Sequence, residues 1–295
     1  IVTLMLIAGL GALNMNIFLP ALPAMAEYFQ ADYAVMQLAV SAYLAITGAL
    51  QLVIGPLSDR YGRRPVMLVS LGLFLLATLG CVLSTDIVVF LAFRMAQAVI
   101  ATGIVLSRAV VRDMVGPDKA ASMIGYVTMG MALVPMVGPM IGGVLDELIG
   151  WQASFVFTGL FGILVTVIVW LDMGETIEQK SASFSAQFRA YPGLVTSRRF
   201  WGYALVAAFT SGSFFAFLGG GPFVATEVLN MSSSRMGVYF GIIALGYMFG
   251  NFISGRYSES VGMNRMMLTG GICAAAAMVL ALSLFAAGFG GAPAL

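Results

Sequence analysis

Long apolar runs broken by short polar knots succeed one another along almost the whole chain. Their length matches the roughly 20 residues a helix needs to cross a bilayer. They predict nine spans, at 1–19, 35–57, 66–84, 87–107, 122–144, 152–171, 200–223, 235–254 and 266–286. The longest polar stretch, 172–199, joins the sixth span to the seventh. Within it Phe184, Phe188 and Tyr191 recur at i, i+4 and i+7 beside Arg189, a spacing that suits a short amphipathic helix on the membrane surface. The other reading is a serine-rich linker without fixed structure.

Composition turns the pattern into a class. The 295 residues are 60% hydrophobic and 9% charged, with a mean hydropathy of +0.99. An ordinary soluble domain carries about 25% charged residues. So little polar surface could not cover a water-soluble core of this size, and the chain reads as an all-α integral membrane protein. A net charge of +1 gives no general attraction to nucleic acid. The chain has no histidine, which removes His metal ligands, His bases and Ser-His-Asp catalysis. With no mid-span acid either, it reads as neither enzyme nor metalloprotein, and no cofactor is expected. No repeated ring of the kind that makes a channel filter is visible. Cys81 and Cys273 stand singly in apolar runs, as packing residues rather than a disulfide.

Charge then orients the spans. With a cytoplasmic amino end, the loops on that side hold Arg60, Arg63, Arg64, Arg108, Arg112, Lys119, Lys180, Arg189, Arg198, Arg199, Arg256 and Arg265, twelve of the fourteen basic residues. The opposite loops hold Arg235 alone, and Arg94 lies inside the fourth span. Cytoplasmic loops are the basic ones. No basic stretch precedes the first run, so it reads as a true span rather than a cleaved signal peptide.

An internal repeat organises the chain. GPLSDRYGRRP at 55 is echoed by GRYSESVGMNR at 255, with Gly55, Ser58, Asp59 and Gly62 answered by Gly255, Ser258, Glu259 and Gly262. FLPALP at 18–23 is echoed by FLGGGP at 217–222. Repeats of this kind mark transporters built from two related halves. They predict a six-helix half over 1–171, a cytoplasmic linker over 172–199 and the first three helices of a second half over 200–295. By symmetry the complete protein would have twelve spans and about 400 residues, the repeat offset doubled.

The charged knot at 55–65 falls in the short cytoplasmic loop between spans two and three. Gly55 and Gly62 permit a tight turn. Asp59 can pair with Arg112 beyond span four, and Asp113 with Arg60 or Arg63. With Arg64, and with Gly255 and Glu259 in the second half, such a cluster can latch the cytoplasmic side in one state and release it in another. The plainer reading is a basic loop that sets topology and does not move.

These stretches resemble a known family. Gly55 to Arg64 resembles the loop motif of the major facilitator superfamily. Arg94-Met95-Ala96-Gln97 resembles its span-four R-x-x-Q-G motif, with Ala98 in place of the glycine. Gly138-Pro139-Met140-Ile141-Gly142-Gly143 resembles the G-P-x-x-G-G motif of antiporters. FLPALP and GPFVATE at 221–227 resemble the bicyclomycin-resistance (Bcr/CflA) type of drug efflux transporter. The resemblance implies a bundle of two pseudo-symmetric six-helix halves, the second truncated here. It implies that Arg94 and Gln97 help couple protons to substrate, and that the span-five motif bends the helix to seal against proton leak. Packing alone is the other reading of that motif. On physical grounds a charge at the depth of Arg94 should face a wet cavity or a partner, or else snorkel outward.

One position departs from the pattern. Asn16 stands where the Bcr/CflA type has an aspartate, and an amide cannot carry a proton. The carrier is then a helix-end acid such as Glu227, Asp59 or Asp113, or lies in the absent spans, or transport is uncoupled. The cavity is expected between spans one, two, four, five, seven and eight, with Asn14, Asn16, Tyr43, Phe214, Phe215, Phe217 and Tyr247 lining it. Such a lining suits amphipathic, neutral or weakly cationic organic compounds. The sequence thus predicts a monomeric exporter of the bacterial inner membrane whose partners are a small-molecule substrate, protons and lipid. The alternative is an importer of a sugar or other metabolite on the same fold.

Overall fold

The structure, a computed structural model, describes residues 2–115, 117–177 and 191–287. Each predicted span coincides with a helix. Among the described residues these are α1 (Val2–Tyr28), α2 (Tyr33–Tyr61), α3 (Arg63–Leu83), α4 (Ile87–Met114), α5 (Pro117–Leu148), α6 (Gln152–Asp172), α7 (Arg198–Thr226), α8 (Ser233–Val261) and α9 (Met263–Ala286). Seven of them are long and apolar enough to cross a membrane. The other two, α5 and α8, run to 32 and 29 residues, ample for a hydrocarbon layer of about 30 Å at 1.5 Å per residue. The expected linker helix around Phe184 and Phe188 lies outside the described residues. Tyr191 opens a five-residue helix, Tyr191–Val195.

Local chemistry sets the helix ends. Asp86 starts α4 by accepting hydrogen bonds from the amides of Val88 and Val89 at 2.8 and 3.0 Å, the usual service of an N-cap carboxylate. The loops after α2 and α8 turn on Gly62 and Gly262, with φ of +104° and +87°. That region is strained for any residue with a Cβ. Two such turns 200 residues apart carry the sequence repeat into the backbone.

The first helix breaks within FLPALP, whereas the seventh runs through the repeated FLGGGP and changes to a π turn just after it. In α1 the helix Val2–Asn16 gives way to a 3₁₀ turn, Leu19–Ala21, before resuming as Leu22–Tyr28. Pro20 and Pro23 supply no N–H to the ladder. In α7 a π turn, Val224–Val228, follows Pro222. The first span therefore continues to Tyr28, well past the predicted end at 19, because the break redirects the chain without ending it.

Lipid tails compete equally for apolar side chains, so close backbone contact and interhelical hydrogen bonds hold such a bundle together. α1 runs through the first half, against α4, α5 and α6, while α5 lies along α8. Gly142 makes the tightest approach: a Cβ there would overlap the carbonyl oxygen of Ile17. Gly138, one turn earlier, faces the Asn16 Cβ and the Ile17 amide. Gly138 and Gly142 thus form a smooth strip on α5 that receives α1 where it breaks. The helix continues through Pro139, and Gly143 is buried beside it. Small residues let the backbones touch here, the packing role that the sequence also allowed for this motif.

At the Tyr28–Tyr33 end the halves meet over an aromatic cluster. Phe18, Phe90, Trp151 and Phe155 are buried there with ring centroids 5.6–5.8 Å apart. A cross-half clasp lies nearby. The Tyr33 hydroxyl and the Gln37 amide both donate to the carbonyl of Gly219 on α7, at 2.9 and 3.3 Å, and the Tyr33 and Phe223 rings lie 4.9 Å apart.

Candidate functional site: a caged arginine and a charged loop

Arg94 sits on the first segment of α4, which passes through a 3₁₀ turn at Gln97–Ile100. Its side chain is wholly buried. Nε donates to the carbonyl of Ala39 at 3.2 Å, one Nη to Gln97 Oε1 at 2.7 Å and the other to the carbonyl of Asn14 at 3.1 Å. The guanidinium lies 4.3 Å from the Phe18 ring centroid and 4.1 Å from that of Tyr43. Two aromatic faces and three neutral oxygens therefore hold the cation. Among the described residues no carboxylate pairs with it. Of the expected settings the structure shows partners: α1, α2 and α4 close around the side chain, and carbonyls and rings together supply the negative potential that holds the cation.

Thr78 on α3 fixes the orientation of this group. Its single hydroxyl proton goes to the carbonyl of Phe74 at 2.7 Å, so towards Gln97 it can only accept, from Nε2 at 2.8 Å. The Gln97 oxygen must then face Arg94. Asn14 Nδ2 donates to the Tyr43 hydroxyl at 3.1 Å, joining α1 to α2 beside the cage. The structure thus brings Asn14, Tyr43, Arg94 and Gln97 together, as predicted, and adds Phe18 and Thr78. A threonine in an apolar run carries no sequence signal of this part, since only packing brings α3 against α4.

The other residues predicted to line the cavity have different partners. Asn16 donates to the carbonyl of Ala12, one turn back, at 2.7 Å, and its Oδ1 is buried without a partner. In the second half Phe214 stacks 6.2 Å from Tyr247 and meets Phe215 at 5.5 Å. Phe214, Phe215 and Phe217 pack against the aromatic cluster, and Tyr247 is exposed. The side chains of Glu227 and Glu259, and Gly255, lie outside the described residues.

At the loop end Arg63 is the hub. It pairs with Asp113 at 3.0 Å and with Asp59 at 2.5 Å, and it donates to the Ser58 hydroxyl, which itself donates to the carbonyl of Gly55 at 2.8 Å. Arg64 donates to the carbonyl of Trp170 at 2.8 Å, and Arg60 lies over the Tyr61 ring at 5.6 Å. The predicted pairing of Asp59 with Arg112 is not found. Arg112 is exposed and forms no ion pair among the described residues. The turn at Gly62 starts α3 directly under the end of α2, which brings Arg63 back between the two acids. The pairing of Asp113 with Arg63 is found.

Sequence reading missed Glu175, just beyond α6. Its carboxylate accepts from the amides of Arg63 and Arg64, at 2.9 and 3.4 Å, and from those of Thr176 and Ile177, at 3.1 and 3.2 Å. Thr176 also donates to Asp113 at 3.2 Å. Glu175 thereby caps the free amides that begin α3. A Cβ at Gly62 would strike this carboxylate, a second reason for glycine there. Burial pushes the Glu175 carboxyl up, but the amides of Arg63, Ile177, Arg64 and Thr176 outweigh it and hold it below its ordinary value. A carboxylate lowered on folding stabilises the fold above its unfolded pKa, about 4.3, and loses that contribution as pH falls through the folded value. Glu175→Gln is therefore expected to lower thermal stability by a constant amount at neutral pH, with the gap to the native protein narrowing as the pH falls below the unfolded value and through the lower folded one. A gap that does not shrink at all as the pH falls through the carboxylate range would rule out ionisation as its source.

The bundle, its broken first helix and its buried intramembrane cation define a multi-pass membrane transporter. The chain belongs to the Major Facilitator Superfamily, whose pattern matches residues 4–294; this is a family of transporters, not enzymes. An uncharacterized MFS-type transporter of Bacillus subtilis, YdgK, is 32% identical over 285 residues, which cover 95% of this chain and 71% of that protein. The chloramphenicol resistance protein of Pseudomonas aeruginosa is 33% identical over 92% of this chain and 65% of its own length. A bicyclomycin resistance protein homolog of Haemophilus influenzae is 25% identical over 90% of this chain and 68% of its own. The chain thus spans about two thirds of the length of these relatives. The crystal structure of a bacterial homolog of the human lysosomal transporter Spinster shares the fold, with a TM-score of 0.74 at 22% identity over 88% of this chain and 62% of that one.

Proposed function

We propose that the complete protein exports small amphipathic organic compounds across the bacterial inner membrane by alternating access, in exchange for protons. One observation carries this reading. Arg94, a permanently charged side chain, lies wholly buried among α1, α2 and α4 and is held by neutral groups alone. An ionisable group kept at such depth is by default a functional one. The names of the Pseudomonas and Haemophilus relatives, with the antiporter-like run at 138–143, favour export of drugs over uptake of a metabolite.

In this reading residues 1–171 and 200–295 belong to two halves that rock about a central site, joined by 172–199, with a cytoplasmic amino end and a monomeric working unit. Asn14, Asn16, Tyr43, Arg94 and Gln97 serve substrate and protons on the first-half wall, and Phe214, Phe215, Phe217 and Tyr247 on the second. Gly138, Pro139, Gly142 and Gly143 seat α1. The cluster of Gly55, Asp59, Arg60, Gly62, Arg63, Arg64 and Asp113 braces the cytoplasmic end of the first half, with Gly255 and Glu259 as its second-half counterparts and Arg112 outside it. Asp59, Asp113 and Glu227 stay the candidate proton carriers.

The test uses the full-length protein in inside-out vesicles with a pH-sensitive dye. After respiration acidifies the lumen, added chloramphenicol is expected to trigger proton release, and Arg94→Gln to reduce the rate at least tenfold, the scale of one lost charge-specific contact. No release from native protein that is folded and inserted would overturn the reading.

A further inference from the structure

Two donors from the first half meet one acceptor in the second. The Tyr33 hydroxyl and the Gln37 amide both donate to the carbonyl oxygen of Gly219, at 2.9 and 3.3 Å. The Tyr33 ring lies 4.9 Å from that of Phe223. Tyr33 and Gln37 stand four residues apart on α2, and Gly219 and Phe223 four apart on α7, so one turn of each helix makes the whole contact.

The chemistry of this contact makes it switch-like. Its acceptor is backbone and its donor ring is held against Phe223, so helix movement rather than a change of rotamer releases it. Because one oxygen serves both donors, the same movement breaks both bonds. Such bonds are directional and fade beyond about 3.5 Å. The apolar packing of the α1 3₁₀ turn against α7 and α8 is non-directional and tolerates a small rotation.

Both partners stand beside points where their helices can bend. In α2 the turn Tyr33–Met36 is set off from Leu38–Tyr61 at Gln37. In α7 Gly219, Gly220 and Gly221 lead into Pro222, which gives no N–H to the ladder, and then into the π turn Val224–Val228. Tyr33 and Phe223 also form part of the wall of a cleft of about 750 Å³ between the halves, with Glu27 on the first-half side and Thr226 on the second. Breaking the clasp would deepen a cleft that is already present.

We propose that Tyr33, Gln37 and Gly219 form a latch that holds the two halves shut at this end and parts each time they separate there. The proposal rests on the alternating-access reading and names the residues of one gate.

The test measures the width of the cleft. Spin labels are placed on Glu27→Cys and Thr226→Cys in the full-length protein, with its other reactive cysteines, Cys273 among them, replaced by serine. Pulsed electron paramagnetic resonance distances are read in lipid nanodiscs for the native latch, Tyr33→Phe, Gln37→Leu, the double variant and Tyr203→Phe. Tyr33→Phe keeps the ring contact and removes only the donor. Tyr203→Phe removes a hydroxyl bond of the same 2.9 Å length, to Asn264 within the second half. Each latch variant is expected to shift the ratio of long to short distances about fivefold, and the double variant about 25-fold, the scale of one and two neutral hydrogen bonds. Tyr203→Phe is expected to leave the ratio unchanged. An unchanged ratio in the double variant, a shift toward short distances, a single distance in every variant, or an equal shift in Tyr203→Phe would each overturn the latch. If one latch variant does not fold, the other still decides. Chloramphenicol-driven proton release with no shift in the double variant would remove the latch and leave the transport reading standing. A shift without such release would keep the latch and remove the reading of proton-coupled export.

Discussion

Replacing Gly142 with alanine is expected to lower the apparent melting temperature of the full-length protein by about 5–10 °C, the scale of a loss near 3 kcal/mol in a large chain. A Cβ at that position would overlap the carbonyl oxygen of Ile17. Backbone cannot rotate aside as a side chain does, so α1 would have to lift from α5 at the point where it breaks. That displacement would also strain the Arg94 cage, because the carbonyl of Asn14 and the ring of Phe18 flank the same break. The controls are Gly48→Ala and Gly72→Ala, where a new methyl meets nothing within 4 Å and alanine favours the helix by about 1 kcal/mol. Thermal melts followed by size-exclusion chromatography separate the three. Equal melting of Gly142→Ala and Gly48→Ala would show that α1 and α5 do not meet in this way.

Arg63→Gln is expected to destabilise the charged-loop end by about 2–4 kcal/mol, while Arg112→Gln changes stability by less than about 0.5 kcal/mol. Arg63 is nearly buried and is shared by Asp59 and Asp113, so its loss leaves two neighbouring carboxylates facing each other with their common partner gone. The half-exposed setting of the two acids keeps the loss below that of a fully buried pair. Arg112 stands in solvent, where a charge contributes little. Chemical denaturation of the full-length protein in detergent would rank the variants. Equal losses would restore the pairing of Asp59 with Arg112 that the sequence suggested.

Much of the fold was legible because bilayer physics leaves few choices. An apolar run of about 20 residues has to satisfy its own backbone, and a helix is the way for a single segment to do so. The turn glycines were legible for a similar reason: Gly62 and Gly262 sit where a left-handed φ ends one helix and starts the next. Asn14, Tyr43, Arg94 and Gln97 stood out as polar groups in apolar runs. Thr78 and Glu175 did not, since a threonine among leucines and an acid after a span are common and acquire a role only from what folds against them.

The sequence by itself determined the class, the long helices among the described residues and their likeness across the repeat, all of which follow from local composition and spacing. Tertiary structure alone decided which groups answer the charges. Arg94 could have met water, an acid or lipid, and packing of α1, α2 and α4 gave it two rings and three neutral oxygens. Asp59 had several arginines within reach along the chain, and the reversal at Gly62 chose Arg63. An interaction of a few ångströms depends on where separate helices meet, and that register is set by shapes such as the Gly138–Gly142 strip rather than by any residue's own preference.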